Sequence, residues 1–580
     1  MNKHTLKPGL QYRAETVLYT GHFVTVNEDQ PRATAVVVAN GKISFVGTKE
    51  QAETYLSNEG IDYHLDEQFA SKTIVPGFIE AHMHPLGAAL FTARFAYAGQ
   101  IERTGKGGVI LPASLTKEAL QAKLNAFVQA HNEAGKQGEW LNLWGLDPLL
   151  LTDETAVDRD FLDAICADSP IFYMHSSCHV AVFNSMAIEK VGFSLEDNPA
   201  FVFRKDNRLT GEVAELPDIM RAVKLGGFDM GTPEDAVAAM LGYADSTFRL
   251  GVTTMSDCGM GVPQNPYPLY QALSQMPAFK ARIAAYPLLP NFQEQELAHY
   301  KEQSNDRLFA TKVKHIATDG SIQGFTAVLK QGDKYYNGRE SGHFQYSAET
   351  TYDNVFYAHK LGYSISFHCN GEGCTEALLD LIERMQNECP QPNVRHCLEH
   401  NQMVNPQQMD RMKKLGVVHN LFGTHIPYWG DVHATQTVGP ERVKTLNPFQ
   451  SSIRKGIPFA IHCDDVVTQV NPLFMMWGAM NRQCVFSGTV YGEDECLTAE
   501  QALHAVTLGA AYLMEQEHMI GSIEVGKLAD LAILEHDPLQ VAKQVVKDIK
   551  VHATMLGGDV TVHRSEHGTQ HDETTATLTV

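Results

Sequence analysis

The sequence has no Cys-x-x-Cys pair and no dense cysteine framework. Its ten cysteines stand singly, which excludes a disulfide-stapled scaffold and fits free thiols in a reducing compartment. Cys369, Cys397 and Cys463 lie beside motif residues and are read as small apolar fillers of a core. Positive charge is also scarce. Lys and Arg number 46 against 68 Asp and Glu, a formal charge of -22 with a pI near 5.6. A polyanion is repelled by that balance rather than steered in, so no nucleic-acid partner is expected. No apolar run reaches bilayer-spanning length, and the first ten residues lack the apolar stretch of a signal peptide. The chain therefore reads as a soluble, cytoplasmic protein with no membrane partner. Internal repeats and low-complexity blocks are missing too, which excludes a solenoid.

What is present is length enough for a large core and a clear change of pattern along the chain. From about Ala14 to Val75 short β-rich runs follow one another: Thr16 to Tyr19, His22 to Val26, Ala35 to Val38, and Lys42 to Gly47 after the turn residue Gly41. Similar runs return near the other end, at Leu531 to Leu534 and Lys550 to Met555. These predict a small β-sandwich domain built from both termini, 1–75 and 518–562, with 563–580 as a polar, disordered tail. Between them, strand-length apolar runs alternate with stretches of helical period, such as Lys117 to Ala134, Pro233 to Arg249 and Thr498 to Gln516. That alternation predicts an α/β fold, a (β/α)8 TIM-like barrel over 76–517. Its strands are expected at Phe78 to His82, Val252 to Ser256, Ile283 to Leu288, Lys312 to Ala317, Tyr363 to His368, Val394 to His400, Val417 to Leu421 and Phe459 to Asp464. A further run, Ile171 to His175, is assigned to an insertion of about 99–226.

In the run Thr73 to Pro85 an apolar strand finishes in His82 and His84, one residue apart. Side chains at i and i+2 of a strand share a face, so two imidazoles converge on one point, half of a tetrahedral metal site. Other strands finish in metal-competent residues as well: His368, His400, and Asp464 followed by Asp465. Catalytic residues of such barrels sit where the strands end.

Eight motifs then belong together: residues 76–84 (Pro-Gly-Phe-Ile-Glu-Ala-His-Met-His), 178–185, 318–327 (opening Thr-Asp-Gly-Ser), 368–373, 398–400 (Leu-Glu-His), 428–433, 462–465 (His-Cys-Asp-Asp) and 521–530. As a set they resemble the amidohydrolase superfamily, in the branch of N-substituted formamide deformylases and related metal-dependent hydrolases. The resemblance implies that His82, His84, His368 and His400 bind a divalent metal, most plausibly zinc, and that Asp464 ligates it and acts as general base. It also implies that His179 faces the substrate, where it would stabilise a developing oxyanion. Two positions depart from the family pattern. Glu80 stands where an aspartate is usual, a change expected to be tolerated because that side chain is not a ligand. In the fourth strand many relatives carry a lysine four residues before the Asp of Asp-Gly-Ser, carboxylated and bridging two metals. Four before Asp319 is His315, with Lys314 one residue off register, and a one-residue slip turns a side chain to the opposite face. A regular strand thus predicts His315 as the ligand, unmodified Lys314 and one tightly bound metal; a bulge would restore Lys314.

The function implied is hydrolysis of a non-peptide C–N bond, an amide or N-acyl amine, in a small-molecule substrate by metal-activated water. A deaminase or cyclic-amide hydrolase on the same site is the alternative, followed by a barrel that only binds a ligand. A homodimer is expected.

Overall fold

Strands from the two ends of the chain pair into one sheet. In the computed structural model, which describes residues 12, 14–105, 109–153, 156–224, 231–261, 265–316 and 318–563, that sheet runs Asp559–Val562, Val551–Leu556, Leu531–Leu534, Thr73–Pro76, Val17–Val24, Arg32–Ala39, Lys42–Gly47, with His64–Asp66 also beside Val17–Val24. The joint is Thr73–Pro76, antiparallel to Leu531–Leu534 on one side and parallel to Val17–Val24 on the other. All four of its residues are buried. The strand passes at Gly77 directly into the first parallel strand. A side chain could not stand at Gly77, since a Cβ would meet Thr253 Oγ1 at 2.3 Å. The tail expected at 563–580 lies outside the described residues beyond His563.

Two parallel sheets follow. The first holds β1 (Phe78–Met83), β2 (Val252–Met260) and β3 (Arg282–Pro287), with Leu308–Phe309 against β3. The second holds β4 (Lys312–His315), β5 (Ser364–Cys369), β6 (Cys397–His400), β7 (Val418–Phe422) and β8 (Phe459–His462), in that order. Every pairing within them is parallel. The sheets meet at both edges. Leu288, just past β3, bridges to Lys314 of β4. On the other side Asp464 N donates to His82 O at 3.2 Å and His84 N to Asp465 O at 2.7 Å. Amphipathic helices separate successive strands, as parallel pairing requires. Glu372–Glu388, for example, buries Leu378, Leu379, Leu381, Ile382 and Met385, and these join one continuous core with residues of β2, β3 and β5. Pro406–Leu415 starts on an Asn405/Gln408 capping box and stops at Gly416, whose φ of 67° is left-handed.

The single helix expected over Thr498 to Gln516 is instead two, Ala499–Ala505 and Leu508–Leu513. The break lets the second helix approach β8 closely, where a Cβ on Gly509 would lie 2.7 Å from Phe459 O. Ile171–His175 joins neither parallel sheet. It lies in a separate mixed sheet with Val202–Lys205, Arg208–Ala214, Val180–Phe183, Leu141–Leu146 and Ala96–Tyr97, over a core that includes Trp144, Phe172 and Phe183. Among the described residues no helix is long and apolar enough to cross a membrane.

Candidate metal centre

The C-terminal ends of β1, β5, β6 and β8 bring five side chains together. His82 Nε2 and His84 Nε2 lie 3.3 and 3.5 Å from the same oxygen, Asp464 Oδ1, and His400 Nδ1 lies 3.7 Å from Asp464 Oδ2. The His82 and His400 rings are 4.6 Å apart between centroids, and those of His368 and His400 4.7 Å. The backbone takes unusual conformations to present them: φ is 67° at His400 and 55° at Asp464, left-handed values that cost a non-glycine residue about 1–2 kcal/mol. His84 packs against Gly259, where a Cβ would stand 2.7 Å from its Nδ1.

A second layer of carboxylates orients the imidazoles. Glu399 Oε2 sits 2.7 Å from His82 Nδ1 and also accepts from Asn420 Nδ2 at 3.0 Å. Asp319 Oδ1 is 3.2 Å from His368 Nδ1, and the same carboxylate accepts backbone N–H bonds from Val328, Asn370 and Gly371. A carboxylate at Nδ1 holds the proton there and leaves Nε2 as the donor atom, the usual support of a metal-binding histidine.

These residues fit a divalent ion. His400 Nδ1 and Asp464 Oδ1 are buried with no hydrogen-bond partner among the described residues. The 3.3 and 3.5 Å ligand separations match the edge, roughly 3.3 Å, of a tetrahedron with bonds of about 2.0 Å. His82, His84 and Asp464 alone place three ligand atoms within 4.8 Å of one another. Protonation states agree with that use. Burial pulls His84 down to about 4 and His400 well below the ordinary imidazole range, keeping both neutral, the form that ligates. His82 is the exception: burial pulls it down, but Cys258, Asp464 and Glu399 together push it well up. Burial alone would raise Asp464, yet the surrounding imidazoles, His82 foremost, hold it well below the usual carboxylate range.

The fourth strand differs from the expectation. β4 pairs with β5 in the register Lys314 to Ser366 and His315 to Phe367, and Ser366 shares its face with His368. Lys314 therefore faces the histidines, its Nζ buried and without a partner among the described residues. His315 faces the other way, its ring 6.3 Å from those of Phe367 and Tyr346. No bulge is involved. The strand ends at His315 and the chain turns, Thr318 N donating to Ile316 O at 2.9 Å, so the extended register cannot be counted back from Asp319.

His179 stands in the turn between Ile171–His175 and Val180–Phe183, with its ring 4.8 Å from that of His368. Glu215 Oε2 lies 2.9 Å from its Nδ1; burial pulls its pKa down, but the carboxylates of Glu215, Asp319 and Asp464, Glu215 foremost, together raise it. Glu80 is not in the cluster. Buried and pushed up to about 8 by desolvation, it accepts from Cys463 N at 3.2 Å, tying β1 to β8. Two residues escaped the sequence reading because topology alone unites them with Asp465. Arg103 pairs with Asp465 and donates to Val466 O at 2.8 Å, and Tyr243 OH donates to Asp465 Oδ2 at 2.6 Å. They fix the segment that carries Asp464. A narrow cleft opens on the cluster, lined by Ser177, His179, Gln323, His400, Phe422 and Asp464 among others.

The chain is 23% identical over 557 residues to an N-substituted formamide deformylase from Arthrobacter pascens, covering 93% of this chain and 97% of that protein. It is 23% identical to the putative amidohydrolase YtcJ from Bacillus subtilis (strain 168), covering 95% and 100%. An uncharacterised metal-dependent hydrolase from Pyrococcus horikoshii OT3 superposes with a TM-score of 0.68 at 22% identity, over 91% of this chain and 99% of that one. Residues 71–562 match the family profile described as the amidohydrolase family, and on that match over most of its length the chain belongs to the amidohydrolase family.

Proposed function

We propose that this protein hydrolyses a non-peptide C–N bond, an amide or N-acyl amine of a small molecule, at the cluster formed by His82, His84, His368, His400 and Asp464. The observation that carries the reading is the convergence of two imidazoles on one oxygen of Asp464, at tetrahedral spacing, on the floor of a cleft. Two linked readings accompany it: the two parallel sheets form one (β/α)8 barrel carrying the insertion of about 99–226, and the sheet from both termini is a separate β-domain. Continuity of hydrogen bonding at both edges of the parallel sheets supports the first.

The five residues would hold a divalent ion, zinc by the nature of the donor set. Lys314 takes the fourth-strand position in place of His315, with an amine that, if carboxylated, would bridge two ions. A bound ion supplies Lewis acidity, bringing water ionisation toward neutral pH and polarising a carbonyl. The protein's own groups do the rest. Asp464 accepts the proton of the attacking water as the C–O bond forms, and delivers it to nitrogen as the C–N bond breaks, releasing a carboxylic acid and an amine. His179, oriented by Glu215, donates to the carbonyl oxygen as negative charge gathers there. The similarity to an N-substituted formamide deformylase favours N-acyl amines with a small acyl group. The test is a screen of amides and esters with product analysis, run beside metal content: a free carboxylate and an amine are expected, and ammonia from an aminated ring would favour a deaminase.

A further inference from the structure

Two of the sequence motifs, residues 318–327 and 428–433, meet in a buried chain of polar side chains that the chemistry above does not use. Gln323 Oε1 lies 3.1 Å from His425 Nε2, His425 Nδ1 lies 2.7 Å from His433 Nε2, and His433 Nδ1 lies 2.7 Å from Thr437 Oγ1. All four residues are buried. Burial holds His433 down at about 3 and His425 well below the ordinary range, so each ring is neutral and has one donor and one acceptor nitrogen. The polarity of the chain follows from its end. Thr437 donates to His433 Nδ1, His433 Nε2–H donates to His425 Nδ1, and His425 Nε2–H donates to the Gln323 carbonyl oxygen. Trp429 lies over His425 with the rings 4.9 Å apart, and its own Nε1–H is held by Asp147 Oδ2 at 2.6 Å.

The consequence falls on Gln323. With its oxygen fixed, its amide nitrogen donates to no acceptor among the described residues, and Gln323 lines the cleft. The other two amides there are already engaged: Asn370 Nδ2 donates to Gly320 O at 3.0 Å, and Gln402 Nε2 donates to Asn370 Oδ1 at 2.8 Å. No lysine or arginine lines the cleft among the described residues, and its only carboxylate is Asp464.

We propose that Gln323, oriented by His425, His433 and Thr437, is a specificity residue of the cleft, donating its N–H to an acceptor on the amide substrate. This rests on the hydrolytic reading for its substrate class but is tested on binding. N-formylglycinamide is titrated into the metal-loaded protein by ligand-observed NMR, which also reports formate release. Gln323→Leu should weaken its binding about three- to tenfold, the loss expected of one hydrogen bond, while kcat for any turnover changes less than KM. Thr437→Val should weaken it severalfold and Thr437→Ser should not, which separates orientation of the chain from mere packing. No binding of the probe, or wild-type affinity in both Gln323→Leu and Thr437→Val, overturns the proposal. Binding as expected without formate release would instead count against formamide hydrolysis and leave the role of Gln323 standing.

Discussion

His315→Phe should leave metal content and turnover unchanged and make the protein more stable, whereas Lys314→Met should impair both metal binding and turnover. The His315 ring lies among Phe367 and Tyr346, and neither of its nitrogens has a partner among the described residues. A buried polar group left unpaired costs about 1–3 kcal/mol. Phenylalanine removes that cost at a small penalty in volume, so a net gain of roughly 1–2 kcal/mol is expected. The pH dependence gives a second signature. Burial and the nearby Lys314 charge hold His315 at about 4, below its unfolded value, so the unfolded chain binds more protons and stability falls as pH drops from about 6.5 toward 4. That share of the decline, on the order of a few kcal/mol, should vanish in His315→Phe. Lys314 is the largest influence lowering the Glu399 carboxyl, which burial would otherwise raise. Without the amine Glu399 holds the His82 Nδ1 proton less firmly, and loss of such support typically weakens metal binding about 10–100-fold. Urea titrations at several pH values and elemental analysis read both effects. Loss of metal in His315→Phe with full metal in Lys314→Met would refute the register argument.

Three further outcomes follow from the site. His82→Ala and His400→Ala should each lose metal on purification and turnover with it, measured by elemental analysis; full occupancy in either would remove that residue from the ligand set. Asp464→Asn keeps the volume but not the basic carboxylate, and turnover should fall by roughly two orders of magnitude or more in a stopped assay of acid release. Arg103→Met leaves Asp465 buried beside Tyr243 without its cation, which should cost about 3–5 kcal/mol in denaturant unfolding and lower kcat more than KM, because the segment bearing Asp464 loses its clamp.

Most of the strand ends were legible because the signal is local. His82 and His84 sit two apart at the end of an apolar run, and each of His368, His400 and Asp464 closes another. Strand alternation turns that spacing into a shared face without any knowledge of the partner strand. The pairing of the chain's two ends was legible for a related reason, since both carry short β-rich runs that a lone segment could not bury. The fourth strand failed where local counting met a turn: the register ran true to His315 and then broke before Thr318, so an offset from Asp319 pointed one residue wrong. Glu215 behind His179, Arg103 on Asp465, and Gln323 on His425 have no sequence signal at all. Each contact joins residues dozens to hundreds of positions apart, and only the packing of the mixed sheet and the strand-end loops unites them.

On the proposed function, hydrolysis depends on an ion held by His82, His84, His368, His400 and Asp464. The most direct test of this dependence is to strip the protein with a chelator and follow hydrolysis of an N-substituted formamide while zinc is added back. No turnover is expected in the stripped protein, followed by a rise that saturates once the site is filled and that is absent from His82→Ala under the same titration. Undiminished turnover after stripping, or equal restoration in His82→Ala, would contradict it.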